Sequence, residues 1–436
     1  GYYLVQFNYI LAEAGYYAGR LLFLLFVIFI ALSVARLAFL AWLVIRQRRK
    51  EKNTIYAPFS NHPMVSIIVP AFNEELNAVR SVNNLLKTTW PNTEIIFVDD
   101  GSKDATYEKV FNAFHDHPQV KVFTKPNGGK ASALNFGIKE SKAGYVVCID
   151  ADTHLQPDAI SKMMRHFTSL PIPPVAGEGA VGAVAGNVKV GNLNNLLTRW
   201  QSIEYITSQN FDRKAFAYLN GITVVPGAIG AFRKQAIEDA GGFTTDTLAE
   251  DCDLSVRILR SGYTIANEHE ALAFTEAPES VKMFIRQRFR WSFGVMQTFS
   301  KHRDVLFNKK YKGLGCAAFP NMLLFQFIIP AFAPVADFFM LIGILTGNAG
   351  HILFYYGLFM ITDAAVSVMA FHFEKEKKSR LLWLLPQRLI YRWLMLIVLF
   401  KAFLKAIKGE LQGWGVLKRT GTVKEENRPY GVAYVK

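Results

Sequence analysis

Residues 144–152, GYVVCIDAD, decide how this chain folds. A short apolar run ending in Val146-Val147-Cys148-Ile149 is followed at once by two carboxylates, Asp150 and Asp152. Such a run, bounded by a polar turn, reads as a buried strand. Working outward, the arrangement recurs. The run 64–69 ends in Pro70-Ala71-Phe72-Asn73-Glu74, the run 94–98 ends in Asp99-Asp100-Gly101-Ser102, and a further run covers 120–123. Periodic segments near 75–87, 104–115, 130–140 and 156–168 lie between or after these runs. This is the βαβ rhythm of an α/β fold with an open, mostly parallel sheet, in which ligands gather at the carboxyl ends of the strands.

Beyond this core, the Gly- and Pro-rich stretch 171–180 reads as a loop leading to strands near 181–190 and 222–232. Residues 194–219 read as a long helix, and 278–300 as a basic amphipathic helix suited to a membrane interface. The apolar stretches 21–45, 317–346 and 351–371 are long enough to cross a bilayer, which takes about 20 residues. The segment 381–406 is ambiguous, because Pro386, Arg388 and Arg392 make its first half interfacial in character. The basic run 46–52 is expected inside, which places 1–20 outside. The expected division is an extracytoplasmic segment 1–20, a span 21–45, a linker 46–63, a cytosolic catalytic domain 64–275, interfacial helices 276–312, a transmembrane region 313–406 and a cytosolic tail 407–436.

Composition fits that division. Apolar residues are 51% of the 436 and charged residues 19%, too apolar for an ordinary soluble protein and too charged for a pure transporter. The net charge of +14 sits in runs beside apolar segments, as expected of inner loops facing anionic lipid. With no separate basic face, nucleic acid is excluded as a partner. Cys148, Cys252 and Cys316 are too scattered for a disulfide framework. No signal peptide is read at the start, and a first residue other than Met is expected of a piece of a longer chain.

The polar motifs carry the chemistry. Asp150 and Asp152 can reach one hard divalent cation that also bridges substrate phosphates, although Asp152 could instead cap the following helix. Asp99 and Asp100 can accept from a uracil imide N–H, or simply make a turn. Lys130, in Gly128-Gly129-Lys130-Ala131-Ser132, opens a helix, where its ammonium and the helix N-terminus suit a diphosphate; a solvated lysine is the alternative. Glu250 and Asp251 begin a helix, either as acids favoured by its dipole or with one carboxylate as general base. Gln287, Arg290 and Trp291 offer a phosphate-binding fork and an aromatic face for a sugar, or else interfacial anchors.

Taken in order, VPAFNE, VDDGS, GGKASALN, DAD, VPGAIGAFR, AEDCD and QRFRW resemble the family 2 processive glycosyltransferases, the group of poly-N-acetylglucosamine, chitin, chito-oligosaccharide, hyaluronan and cellulose synthases. The resemblance covers about residues 64–300 in motifs and 21–406 in membrane layout. SQNFDRKAF, TEAPES and RWSFGVMQTF are most similar to the poly-N-acetylglucosamine and chito-oligosaccharide branch. It implies a nucleotide-sugar-binding domain of GT-A type between transmembrane helices, in the cell membrane. The implied donor is UDP-GlcNAc, the acceptor a growing polysaccharide, and the cofactor Mg2+ or Mn2+. By position, Asp99 and Asp100 would hold the uridine, Asp150 and Asp152 the metal, and Lys130 the diphosphate. Asp251 would be the base, with Glu74 and Glu250 beside the substrate. Gln287, Arg290 and Trp291 would bind the pyrophosphate and acceptor end, and Gly227 in Val225–Gly230 would line the acceptor sugar. Some bacterial relatives carry a polysaccharide deacetylase on the amino-terminal side, so a deacetylase domain or an accessory membrane subunit is an expected partner. The competing readings are a hyaluronan- or cellulose-type synthase, a single-step transferase acting on a lipid phosphate, and a transporter with a regulatory nucleotide-binding domain. The transporter would need repeated halves or broken spans.

Overall fold

The computed structural model describes residues 2–59, 61–168, 179–332, 349–408 and Gly421. Most of the loop expected at 171–180, the second half of the span expected at 317–346 and nearly all of the tail therefore lie outside the described residues. The chain opens with helix α1 (Tyr2–Asn53), which runs without a break through the basic stretch 46–52.

Four strands follow, β1 (Val65–Ala71), β2 (Thr93–Asp99), β3 (Val120–Thr124) and β4 (Tyr145–Cys148), separated by α2 (Ala78–Leu85), α3 (Thr106–Phe114) and α4 (Lys130–Glu140). Every residue of β1 is buried, as expected of a parallel strand covered on both faces. Successive side chains point to opposite faces. Ile68, Ile96 and Val98 join one core, while Ile67, Val69, Ile95 and Phe97 join the other. Gly137 lets α4 lie close on β1, for a methyl there would fall 2.5 Å from Ile68 Cγ2. The β1–β2, β2–β3 and β1–β4 pairs are parallel, so all four strands end at one rim.

The rest of the sheet is mixed. After β5 (His154–Leu155), α5 (Ala159–Met164) and β6 (Val181–Val190) come α6 (Leu196–Glu204), a π-helical turn (Tyr205–Asn210) and α7 (Phe211–Ala217). The helix expected over 194–219 is thus broken in its middle. Next are β7 (Gly230–Arg233), α8 (Lys234–Asp239), α9 (Glu250–Arg260) and β8 (Thr264–Thr275), giving a sheet of order β3-β2-β1-β4-β7-β6-β8-β5. β6 and β8 are parallel, but β4–β7, β7–β6 and β8–β5 are antiparallel. The strand expected over 222–232 shrinks to β7, because Pro226 supplies no backbone donor and Gly227 turns the chain into the site. β8 escapes periodicity analysis because Glu268, His269 and Glu270 interrupt its apolar pattern.

α10 (Val281–Lys301) leads to the apolar helical stretch α11 (Leu314–Phe332), then α12 (Ala349–Phe373) and α13 (Leu384–Lys408). Among the described residues, Phe23–Asn53 and Leu314–Phe332 are long and apolar enough to cross a membrane. Lys378–Arg388 and Ile390–Lys405, bent by 58°, would add a third if they form one span, and Met360–Phe373 is a shorter apolar helix. One core binds both regions: Leu40, Leu43 and Val44 of α1 and Phe371 of α12 pack in the same cluster as Ile68 and Phe216.

Glu268, 1% exposed, staples β8 to the end of α5. It accepts from Arg165 Nε at 2.9 Å, from Glu270 N at 2.9 Å and pairs with His166 Nε2 at 2.9 Å. Burial raises its pKa, but His166, Arg165 and the Glu270 N–H outweigh that and hold it at about 2. The contribution to stability is therefore complete above pH 4.5 and fades as pH falls towards 2. Glu268→Ala should cost about 3 kcal/mol, since it removes the buried carboxylate that Arg165 and His166 both bond. Thermal denaturation at pH 7.5 should register this loss, and the gap to wild type should begin to close below pH 4.5.

Candidate active site

The loops at the carboxyl rim are locked to one another before any ligand is considered. Asn73, at φ 55°, takes the left-handed backbone that Asn tolerates. Its N–H donates to Ser102 Oγ at 2.9 Å, and its Oδ1 accepts from Lys103 N at 2.8 Å. Glu74 continues this turn and accepts from Asn77 Nδ2 at 3.2 Å. The carboxylate of Asp100 accepts from Gly128 N at 3.0 Å and Gly129 N at 2.7 Å, and pairs with Lys125 at 2.7 Å. Asp99 Oδ2 accepts from Ser102 N and Thr124 Oγ1, while its buried Oδ1 has no hydrogen-bond partner among the described residues.

Gly129, at φ 84°, aims Lys130 into the site as the first residue of α4. Lys130 Nζ lies 2.6 Å from Asp150 Oδ1 and 3.2 Å from Glu250 Oε1. Burial works against its charge, but Asp150, Glu250 and Asp251 outweigh it and hold the ammonium above the usual lysine range. Gly227 covers this amine so closely that a methyl there would sit 2.5 Å from Nζ. The turn after β4 carries Asp150 and Asp152, and Asp152 Oδ1 accepts from Thr153 Oγ1 at 3.2 Å and Thr275 Oγ1 at 3.3 Å.

Glu250 and Asp251 form the first turn of α9. Asp251 accepts from Cys252 N at 2.8 Å. Burial first, then the charge of Glu250, raise its pKa to about 6, against the lowering pull of Lys130 and that N–H. Two polar side chains fix the first half of the helix. Ser255 Oγ accepts from Val225 N at 2.8 Å, which ties α9 to the Val225–Gly230 loop. Asp253 pairs with His302 and Lys301, each at 2.9 Å, so burial's upward push is overcome and its carboxyl stays far below the usual range. Gly294 of α10 meets the backbone just before Glu250, where a methyl would come within 2.6 Å of Ala249 N.

On α10, Arg288 is the hub. It is 1% exposed, pairs with Glu204 of α6 at 2.6 Å, donates to Gln287 Oε1 at 3.0 Å and lies 4.2 Å from the Trp291 ring centroid. Tyr391 of α13 bonds Glu204 as well. The network thereby sets the rotamers of Gln287 and Trp291 (cation–π contact and hydrogen bond together).

These side chains surround a cavity of about 830 Å³. Of the residues singled out in the sequence, Glu74, Lys130, Asp150, Asp152, Gly227, Glu250, Asp251, Gln287, Arg290 and Trp291 all line it. Asp99 and Asp100 do not; they stand behind the rim, where Asp100 shapes the Gly128-Gly129 turn and Asp99 holds Ser102 and Thr124. The cavity continues past the carboxylates to Arg36 of α1, Asn321 and Phe325 of α11, Asp363 of α12 and Arg392 of α13. Sequence reading assigned no role to Glu204, Arg213, Arg288 or Tyr391. The one signal was spacing: Arg288 lies four residues after Phe284 and three before Trp291, which puts a charge on the apolar face of α10.

Comparison with known proteins agrees with this geometry. Residues 66–241 match the sequence model of glycosyl transferase family 2. The chain is similar to a poly-beta-1,6-N-acetyl-D-glucosamine synthase of Staphylococcus epidermidis, 32% identical over 230 residues that cover 53% of this chain and 54% of the relative. A protein of the same name from Staphylococcus aureus (strain COL) is 29% identical over 266 residues, 61% of each chain. The match thus spans little more than half the length of these curated relatives. Among solved structures, the chain is similar to a mannosyltransferase from Pyrobaculum calidifontis in complex with GDP-Man and Mn2+. That likeness has a TM-score of 0.60 at 22% identity, covers 88% of this chain and 98% of the other, and concerns the fold. Residues 66–241, which carry β1 to β7 and the rim loops with Lys130, Asp150 and Asp152, therefore match a glycosyl transferase family 2 domain, and the sheet is a GT-A-type α/β fold carried between apolar helices.

Proposed function

We propose that the chain is an inverting, processive glycosyltransferase that joins N-acetylglucosamine from UDP-GlcNAc into a β-linked polysaccharide and passes it across the membrane. The observation that carries this reading is the continuity of the cavity. One end holds Lys130, Asp150, Asp152 and Asp251, and the other runs between the apolar helices α1, α11, α12 and α13. The names of the curated relatives favour N-acetylglucosamine and a β-1,6 link.

In this reading the acceptor's terminal sugar stacks on Trp291, and Asp251 takes the proton from its attacking hydroxyl. The hydroxyl oxygen bonds to the donor's anomeric carbon as the bond from that carbon to the diphosphate breaks. A single displacement inverts the configuration, and it needs a single base because the nucleotide leaving group is already activated. Lys130 and Arg290 meet the diphosphate charge. The donor set of Asp150 and Asp152, hard oxygens at the cavity wall, fits Mg2+ or Mn2+. Such an ion would neutralise charge on the departing diphosphate. The catalytic domain stands inside the cell, the chain crosses the membrane more than once, and the bilayer and the growing polysaccharide are its partners.

Wild-type protein in lipid vesicles should build polymer from UDP-GlcNAc and not from UDP-glucose. Asp251→Asn should lower the rate by about 10² to 10⁴-fold, with UDP affinity by calorimetry preserved. Since its raised pKa keeps Asp251 protonated at low pH, kcat/KM should fall through about pH 6 as the medium is acidified. An acid limb near 4, or wild-type turnover by the variant, would contradict the assignment.

Chelation tests the carboxylate pair separately. EDTA should silence the wild type and Mn2+ or Mg2+ should restore it. Asp152→Ala should lose metal-dependent UDP binding measured by calorimetry. Full activity in chelator would end the metal reading of Asp150 and Asp152.

Topology is checked by labelling in intact cells with Cys316→Ala as background, because Cys316 is an exposed thiol. An impermeant thiol reagent should modify Tyr9→Cys and spare Lys103→Cys, both at exposed positions. The reverse pattern would turn the enzyme to face the wrong compartment.

A further inference from the structure

Two neighbouring arginines line the membrane side of the cavity and differ in one respect. Arg36 is fully engaged: it pairs with Asp212 at 2.6 Å, donates to Asn321 Oδ1 at 2.8 Å and lies 4.8 Å from the Phe325 ring centroid. Arg213, the third residue of α7, is only 8% exposed, yet makes one hydrogen bond among the described residues, from Nη1 to Gly186 O at 3.0 Å. It has no ion pair there. A buried guanidinium with most of its donor fork unused is costly in the absence of a partner. Burial accordingly lowers its pKa to about 10, although Glu374, Asp251 and Asp212 pull the other way.

Those carboxylates also limit what the missing partner is. Their negative charge acts on Arg213 without touching it, so a second anion would be repelled and a neutral oxygen acceptor is favoured. The cavity that Arg213 lines also carries the apolar side chains of Val188, Phe216 and Ile222, together with the polar Ser208 and Gln209. Val188 is held close by, because Asn210 Nδ2 donates to its carbonyl at 3.1 Å from the start of the same helix. A donor fork in such a cavity matches an acetamido group, whose carbonyl accepts and whose methyl is buried. Arg213 is next in sequence to Asp212, whose partner Arg36 belongs to the apolar helix α1, and it lines the same cavity as the base Asp251, which in the reading above puts it towards the acceptor's end.

We propose that Arg213 is a specificity-determining residue that donates to the acetamido carbonyl of the acceptor sugar and so selects an N-acetylated chain over its free-amine counterpart. This rests on the glycosyltransferase reading above and adds the recognition element for the acceptor.

The test uses the whole protein, UDP-GlcNAc as donor and two acceptors, a short β-1,6-glucosamine oligosaccharide fully N-acetylated and the same oligosaccharide de-N-acetylated. In wild type the N-acetylated acceptor should be favoured in kcat/KM by about tenfold or more, the range for a hydrogen bond to a charged donor. Arg213→Met, which keeps the stem and removes the fork, should bring that ratio to within about twofold of unity while UDP affinity is unchanged. Arg213→Met with the wild-type ratio, or with equal losses on both acceptors, would overturn the proposal. Should that variant fail to bind UDP, Arg213→Lys gives the same decision: a lowered ratio supports the role and an unchanged one removes it. Failure of the wild type to transfer to either acceptor would overturn the parent reading, and this one with it.

Discussion

The Lys130 ammonium, 2.6 Å from Asp150 and 3.2 Å from Glu250, is the contact on which the rest of the site depends. It draws together the start of α4, the turn after β4 and the start of α9, segments separated by many residues in the chain. Asp150, Asp152, Glu250 and Asp251 would otherwise gather four like charges around one cavity, an arrangement that raises carboxyl pKa values and pushes the elements apart. The amine offsets part of that repulsion, and Asp251 settles at about 6. The contact also explains why Gly227 carries no side chain, since the Val225–Gly230 loop closes directly over the amine.

What could be read from sequence follows the range of the interactions. β1 to β4 and their rim loops rest on local signals: short Val/Ile-rich runs, polar turns, and a glycine at φ 84° before Lys130. Their order and parallel sense were therefore legible, as were the residues that line the cavity from those loops. The far half of the sheet was less so. β8 carries Glu268 in its middle, and that charge makes sense only once Arg165 and His166 arrive from elsewhere. Arg288 is similar, because its partners Glu204 and Tyr391 lie 84 and 103 residues away. Asp99 and Asp100 were legible as a motif, but their position behind the cavity wall was not, because it depends on where Gly128 and Gly129 fold back.

The two halves of the molecule meet through shared packing as well as through the cavity. Leu40 and Leu43 of α1 join the cluster that contains Ile68 and Phe216, and Gln387 of α13 donates to Trp200 O at 2.9 Å. Lys189 of β6 pairs with Glu374 at 2.7 Å at the end of α12. Buried polar contacts of this kind fix relative orientation more than they add stability. The carboxylate-lined end of the cavity and its end between the apolar helices are thus held in one frame.

The π-helical turn Tyr205–Asn210 has a consequence for how chain length is tolerated. A wide turn of this kind holds one residue more than regular α-helical geometry needs, so deleting a residue there would leave a continuous helix and little local damage. Each residue of an α-helix nevertheless turns the chain by about 100°. The deletion would swing α7 around its axis, carrying Asp212 away from Arg36 and Arg213 away from Gly186, while Glu204 kept its grip on Arg288. The extra residue works as a phase shifter between two faces of one helix, one turned to Arg288 of α10 and the other to Arg36 of the apolar helix α1.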